Sequence, residues 1–209
     1  MQACQDNLIY LSGPHGSGKS TLMKELRREN QKFLVPELFS RSIKFDTEPE
    51  HRQILKICEK AIESFEYLKI AKENQGKIVL GNRCIYDSLA YLWVYYKKNW
   101  VSEEIYEIYN KHINYFFRDE NLRPRVIILN PGFEIILKHL EERWKKNKKK
   151  WKEEDLEYTE LACQAFEAYN DKENILYLDH EINLDSRIEI IEIGNWCQNK
   201  YKEVYILGK

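Results

Sequence analysis

The sharpest chemistry in this chain lies in nine consecutive residues, Gly13-Pro14-His15-Gly16-Ser17-Gly18-Lys19-Ser20-Thr21. They satisfy G-x-x-x-x-G-K-[ST], a loop whose backbone N–H groups wrap phosphate oxygens. Gly13, Gly16 and Gly18 let the backbone turn tightly and aim its amides inward. Lys19 supplies a point charge to the outer phosphates. The Ser20 hydroxyl suits a Mg²⁺ ion bridging them. His15, Ser17 and Thr21 complete the set that would touch a bound triphosphate. His15 either faces the transferred group or is merely tolerated in the loop. At ordinary glycine usage the pattern arises by chance in about one chain in a hundred of this length. The loop implies a nucleoside triphosphate. It does not choose between a kinase, a switch and a motor.

Other residues refine the choice. Phe33-Leu34-Val35 reads as a strand that Pro36 closes, since proline cannot donate to a ladder. Glu37 then sits at the carboxyl edge of the sheet, where open α/β sheets bind ligands. It is a candidate general base for an acceptor hydroxyl, a holder of sugar or Mg²⁺, or an ordinary surface acid. Arg83 follows the buried run Ile78-Val79-Leu80. It could grip a phosphate or a base edge, each such bond worth about 1.5–3 kcal/mol, or form a salt bridge to a loop. Arg41 has the same two readings. Arg143 could stack on a base, reach the phosphates, or serve as a helix-end cation. The run Lys145-Lys146-Asn147-Lys148-Lys149-Lys150-Trp151-Lys152 reads first as a lid that excludes water. A solvated face comes second. A nucleic-acid patch, with Trp144 and Trp151 between the lysines, comes third.

The elements that position these residues alternate. Leu8–Leu11 is an apolar strand, and the helix after Lys19 sets Leu22 and Leu26 on one face. Residues 40–50 read as irregular. A helix is expected over 51–75, with Ile54, Ile57, Cys58, Ala61, Ile62, Phe65, Leu68 and Ala71 at three and four spacing. Gly76 ends it. Further helices are expected over 85–98, 103–118, from Pro131-Gly132 to Arg143, 153–169 and 185–199. Residues 125–129 and 175–178 are continuous apolar strands, of the kind found in parallel sheets covered on both faces. Val204–Leu207 reads as a short strand or an apolar tail. The pattern predicts one three-layer α/β domain over 1–209 with a parallel sheet, right-handed crossovers and a lid-like segment at 144–155. The helix over 85–98, apolar nearly all round, is expected to be buried between layers or to form a homodimer face.

Composition narrows the partners. The 209 residues hold 33 basic and 34 acidic side chains, net −1. No global field draws the chain to nucleic acid or to an anionic membrane. The many aromatic residues are expected in the core. Five cysteines with no C-x-x-C pair point to reduced thiols and a cytoplasmic location. No signal peptide and no membrane span is expected.

A regulatory GTPase needs D-x-x-G and N-K-x-D, and neither stands in the expected place. A motor or AAA-type ATPase needs an acid closing a strand. The third strand closes on Gly81-Asn82 and the fourth on Asn130. From Asn82-Arg83 onward the chain instead resembles the thymidylate kinase and deoxynucleoside kinase family. That family has an acid and Arg after its third strand, then Ala-Tyr, as in Arg83 and Ala90-Tyr91 here. Pro131, Glu134, Leu137, Leu140 and Arg143 follow its next helix. Lys145–Lys152, Glu153-Glu154 and Tyr169 resemble its lid, and Val35-Pro36-Glu37 its second strand end. Asn82 departs from the family's acid, and the lid is rich in Lys instead of Arg, so it lacks the bidentate fork.

The resemblance implies a five-stranded sheet of order 2-3-1-4-5, ATP and Mg²⁺ as cofactors, and phosphoryl transfer to a small acceptor. Lys19, Arg83, Glu37 and Arg143 would then be catalytic. Gly13, His15, Gly16, Ser17, Gly18, Lys19, Ser20, Thr21 and Arg143 would bind the nucleotide, and Ser20 the metal. Ala90-Tyr91 favours a nucleoside monophosphate as acceptor and Glu37 a deoxynucleoside, with the balance slightly toward the monophosphate. The rival reading is a nucleotide-dependent switch or regulatory ATPase that binds a macromolecule, supported by Asn82 and Asn130.

Overall fold

Every residue of strand β1 (Leu8–Ser12) is buried, because a neighbour lies on each side and helices cover each face. The computed structural model describes residues 7–38, 47–116, 124–146, 152–169, 174–183 and 187–207, apart from the side chains of 116, 187, 188 and 200–207. Within them β1 pairs in parallel with β3 (Ile78–Asn82) and β4 (Arg125–Leu129). The short β2 (Phe33–Leu34) adds to β3, and β5 (Ile175–Leu178) adds to β4. The order is β2-β3-β1-β4-β5, as the resemblance implies.

Side chains alternate across the sheet with period two. Leu8, Tyr10, Val79, Val126 and Ile128 face one core. That core is completed by α2 (Pro49–Glu73), α3 (Ile85–Lys97), α4 (Glu103–Phe116) and α6 (Leu156–Glu167). Ile9, Leu11, Leu80, Ile127 and Leu129 face the other, against α1 (Lys19–Glu29) and α7 (Arg187–Leu207). Leu22 and Leu26 are buried there as the spacing predicts, each contributing about 2 kcal/mol. Ile136 and Leu140 of α5 (Phe133–Lys146) pack with Cys163 in a third cluster.

Several expectations change. Val204–Leu207 is neither strand nor loose tail, because α7 runs on to Leu207. Helix α5 continues through Lys146, so the lysine run begins on a helix. Helix α6 starts only at Leu156, where Asp155 caps it by accepting from Tyr158 N at 3.0 Å. Helix α3 is packed within the chain against α2, α4 and α6, so it offers no wide dimer face.

The largest change is the orientation of α2. The apolar spacing points to Cys58, Ala61, Ile62 and Phe65 as an inward face. Instead Cys58 and Ala61 are exposed, Ile62 is 52% and Phe65 74% exposed, while Gln53, Glu59, Glu63, Tyr67 and Ala71 are buried. The helix turns a charged stripe inward because a cavity lies beneath it.

Candidate active site

The glycine loop joins β1 to α1 where the carboxyl edge of the sheet meets a helix N-terminus. Gly13 cannot be replaced there. Its φ is +134°, and a Cβ would lie 2.1 Å from the Leu129 carbonyl oxygen. Gly18, also left-handed, caps α1 without a side-chain bond, and no acid stands in the first turn of α1. The positive end of the helix therefore remains open to an anion. The Lys19 ammonium is buried in the loop and donates to Gly13 O at 2.9 Å, Pro14 O at 2.6 Å and Ser17 Oγ at 2.9 Å. These are neutral acceptors that phosphate oxygens can outcompete.

Around the loop lies a cavity of about 670 Å³, lined by residues 15–22, Asn82, Arg83, Pro131, His139, Glu142, Arg143, Lys146, Glu181 and others. It brings together His15, Gly16, Ser17, Gly18, Lys19, Ser20, Thr21, Arg83 and Arg143 from the expected site. His139, which the sequence reading did not single out, ties this cavity together. Its Nδ1 lies 2.9 Å from Gly16 O and its Nε2 2.8 Å from Glu181 Oε1. Both partners are acceptors, so each bond forms when the ring nitrogen facing it carries the hydrogen. The imidazole holds the Glu181 carboxyl below its ordinary value.

A second cavity, about 490 Å³, opens beside the first and shares His15, Asn82 and Arg83 with it. The inward stripe of α2 supplies Arg52, Gln53, Lys56, Glu59, Lys60 and Glu63, and α3 and α6 supply Asp87, Tyr91, Tyr95 and Tyr158. Each of its three carboxylates is matched to a cation, and Arg52 adds a fourth positive side chain. Lys56 pairs with Glu59, Lys60 with Glu63, and Arg83 with Asp87. Burial lowers the Lys60 ammonium, opposed by Glu63.

Arg83 stands at the meeting point in a left-handed conformation, φ +68°. Its Nη1 donates to Asp87 Oδ1 at 2.7 Å and to Gly13 O at 3.3 Å, and its Cζ lies 5.1 Å from the centre of the Tyr91 ring. Burial would lower its pKa, but Tyr91 and Asp87 outweigh this and raise it, so it stays cationic. Asp87, only 2% exposed, also accepts from Ser12 Oγ at 2.6 Å and from Cys84 N at 2.9 Å. One carboxylate thus joins the tip of β1, the end of β3 and the first turn of α3. Burial, then the nearby Asp87, pushes the Cys84 thiol up to about 12.

Asp87 was missed from the sequence. The available signals were its i+4 spacing from Arg83 and its third position in α3, where a capping acid belongs.

Other expected residues stand apart. Glu37 is exposed and lines neither cavity. The strand before it stops at Leu34, so Glu37 lies beyond the sheet edge. Arg41, Lys148–Lys150 and Trp151 lie outside the described residues. Trp144 donates to Glu153 Oε2 at 3.3 Å. Asn130 is structural: its side chain donates to Cys163 O at 2.9 Å and to Tyr177 Oη at 2.8 Å, joining β4 to α6 and β5. It no longer supports a switch.

No group of three or more His, Cys, Asp or Glu side chains among the described residues could hold a metal by itself. The donor set instead fits a hard cation carried in by phosphates, with the Ser20 hydroxyl and the Asn82 amide at the cavity. No helix among the described residues is long and apolar enough to cross a membrane.

Residues 8–175 match the family described as AAA domain. The chain belongs to that family. In this AAA domain β3 ends on the amide Asn82 and the amide Asn130 follows β4, where a motor-type ATPase has an acid. No curated protein matches the chain significantly in sequence.

Among solved structures it is similar to deoxyadenosine kinase from M. mycoides with bound dATP, at TM-score 0.63 and 20% identity. That match covers 88% of this chain and 97% of the other. The same kinase with products dCMP and a flexible dCDP matches at 0.57 and 16%, and with bound dCTP at 0.57 and 19%. Each of these two covers 92% of this chain and 99% of the other. The fold of this AAA domain is that of the P-loop kinases.

Proposed function

We propose that this AAA domain is an ATP- and Mg²⁺-dependent kinase that phosphorylates a deoxynucleoside-like acceptor. The observation that carries the reading is the pair of cavities meeting at His15, Asn82 and Arg83. One suits a triphosphate and the other a small molecule, and an in-line transfer needs two such sites end to end. Lys19 and the loop amides hold the ATP phosphates, and Arg83 neutralises charge on the transferred group. Bound Mg²⁺, held by Ser20 and the phosphates, supplies further neutralisation.

The pairing of charges in the second cavity favours a neutral acceptor over a monophosphate. Three carboxylates each hold one of its four cations, so the added dianion of a monophosphate gains little there beyond what Arg52 offers. Tyr91, Tyr95 and Tyr158 offer a base apolar and aromatic surface. The M. mycoides kinase, similar in fold, binds dATP and dCTP.

The test is ADP release from ATP and Mg²⁺ with a panel of deoxynucleosides and monophosphates, with Lys19→Ala as the blank. A deoxynucleoside that raises turnover toward roughly 1–100 s⁻¹ supports the reading. A flat response across the panel sinks it.

The proposal includes a cytoplasmic setting, supported by four described cysteines that are all free. It also includes a homodimer through the exposed stripe Leu55, Ile62 and Phe65 of α2. Sedimentation of Phe65→Glu should then give a monomer where the wild type is a dimer.

A further inference from the structure

Glu153 follows the lysine run and has no exposed surface. Its two oxygens face groups from different elements. Arg143 Nη2 of α5 lies 2.5 Å from Oε1, and Trp144 Nε1 donates to Oε2 at 3.3 Å. His15 Nδ1 of the phosphate loop lies 3.7 Å from Oε1, the same oxygen that takes Arg143. Arg143 and His15 both line the phosphate cavity. A single buried carboxylate therefore connects the far side of the lysine run, the end of α5 and the phosphate loop.

A carboxylate with no exposed surface, paired with a partly buried guanidinium, gains little over apolar packing, so stability alone does not account for it. What it does fix is the direction of a guanidinium. Arginine brings a planar fork whose value depends on where it is aimed.

We propose that Glu153 is the positioning residue for Arg143. It holds the guanidinium at the rim of the cavity, close to the incoming phosphates, and keeps the residue range after the lysine run docked on the loop. The inference rests on the triphosphate half of the reading above and needs no acceptor. Arg143 then meets the phosphates already ordered, and the ordering cost of a long side chain is met before binding.

The experiment measures Mg-ATP affinity by calorimetry on the full chain for Arg143→Met, Glu153→Gln and Glu153→Met, singly and with Arg143→Met. If Glu153 acts through Arg143, each single change should weaken Mg-ATP about tenfold or more. The Arg143→Met/Glu153→Met chain should be no weaker than Arg143→Met alone. It replaces both partners by apolar groups, so it tests the idea even where Glu153→Gln fails to fold. Thermal melts identify the folded variants.

Losses that multiply in the double variant overturn the proposal, as does a folded Glu153→Gln that binds Mg-ATP within twofold of wild type. Lys19→Ala separates the two readings. If Lys19→Ala loses Mg-ATP while Glu153→Gln keeps it, only the role of Glu153 fails. If Lys19→Ala binds as well as wild type, the triphosphate site itself fails.

Discussion

The two cavities that meet at Arg83 are built on opposite plans. The phosphate cavity rests on contiguous backbone: a loop of glycines, a helix N-terminus and a lysine folded onto its own loop. Its positive character comes from amides that no side chain can cancel. The second cavity rests on side chains gathered from α2, α3 and α6, in which each of three carboxylates holds one cation. A site of the first kind binds an anion through fixed dipoles. A site of the second kind selects mainly by shape and hydrogen bonding, because most of its charge is already paired. The difference explains why one site announces a triphosphate while the other is consistent with a neutral acceptor.

Lys19→Ala tests the first plan and carries the largest expected effect. Turnover with ATP should fall about 1,000-fold, the scale of removing a preorganised group from developing charge. Steady-state kinetics with a circular-dichroism check of folding measures it. Turnover that survives within tenfold would contradict the assignment of this loop as the triphosphate site.

The second plan is tested by Glu63→Gln. This change leaves the largely buried Lys60 ammonium without its carboxylate and should cost about 3 kcal/mol of stability. Urea denaturation gives the number. A loss under about 0.5 kcal/mol would show that the pair behaves like an exposed one, and the contrast between the cavities would weaken.

The junction is tested by Asp87→Asn, which should leave ATP affinity nearly unchanged and lower kcat about 100-fold by letting Arg83 drift. If instead the KM for ATP rises and kcat holds, Arg83 belongs to ground-state binding and the two cavities are less separate than described.

The smallest effect is expected at the α6 cap. Asp155→Ala should cost about 1 kcal/mol at pH 7. Burial pushes the Asp155 carboxyl up, but the Tyr158 N–H and Lys98 outweigh it and hold the group below its ordinary value. A depressed carboxyl contributes stability above its unfolded pKa of about 3.9 and loses it as pH falls through the lower folded value. The melting gap between wild type and Asp155→Ala should therefore close below about pH 4. A gap that stays constant down to pH 2 would contradict the charged cap.

Much of the site was legible because it is local. The loop residues 13–21 are adjacent in sequence, and their chemistry depends on backbone that glycine and a following helix dictate. Arg83 and Arg143 were legible from their places after a strand and at the end of a helix. Asp87 was not, since it looked like one more charge on an apolar helix until the fold brought Ser12 against it. Glu37 misled for the opposite reason. The strand stops at Leu34, short of the proline, and Glu37 is exposed beyond it.

The sequence by itself determined the phosphate loop, the alternation of strands and helices, and the residues on the two faces of each central strand. These follow from short-range backbone sterics and from a period of two that any neighbour must respect. It gave no means of choosing which face of α2 turns inward, because apolar and charged stripes both recur at helical spacing there. Only the tertiary structure decided that Glu59 and Glu63 are buried, that Asp87 holds Arg83, and that Glu153 joins Arg143 to His15. Burying a charge is favourable only when its partner arrives from elsewhere in the chain, and that partner is set by the fold.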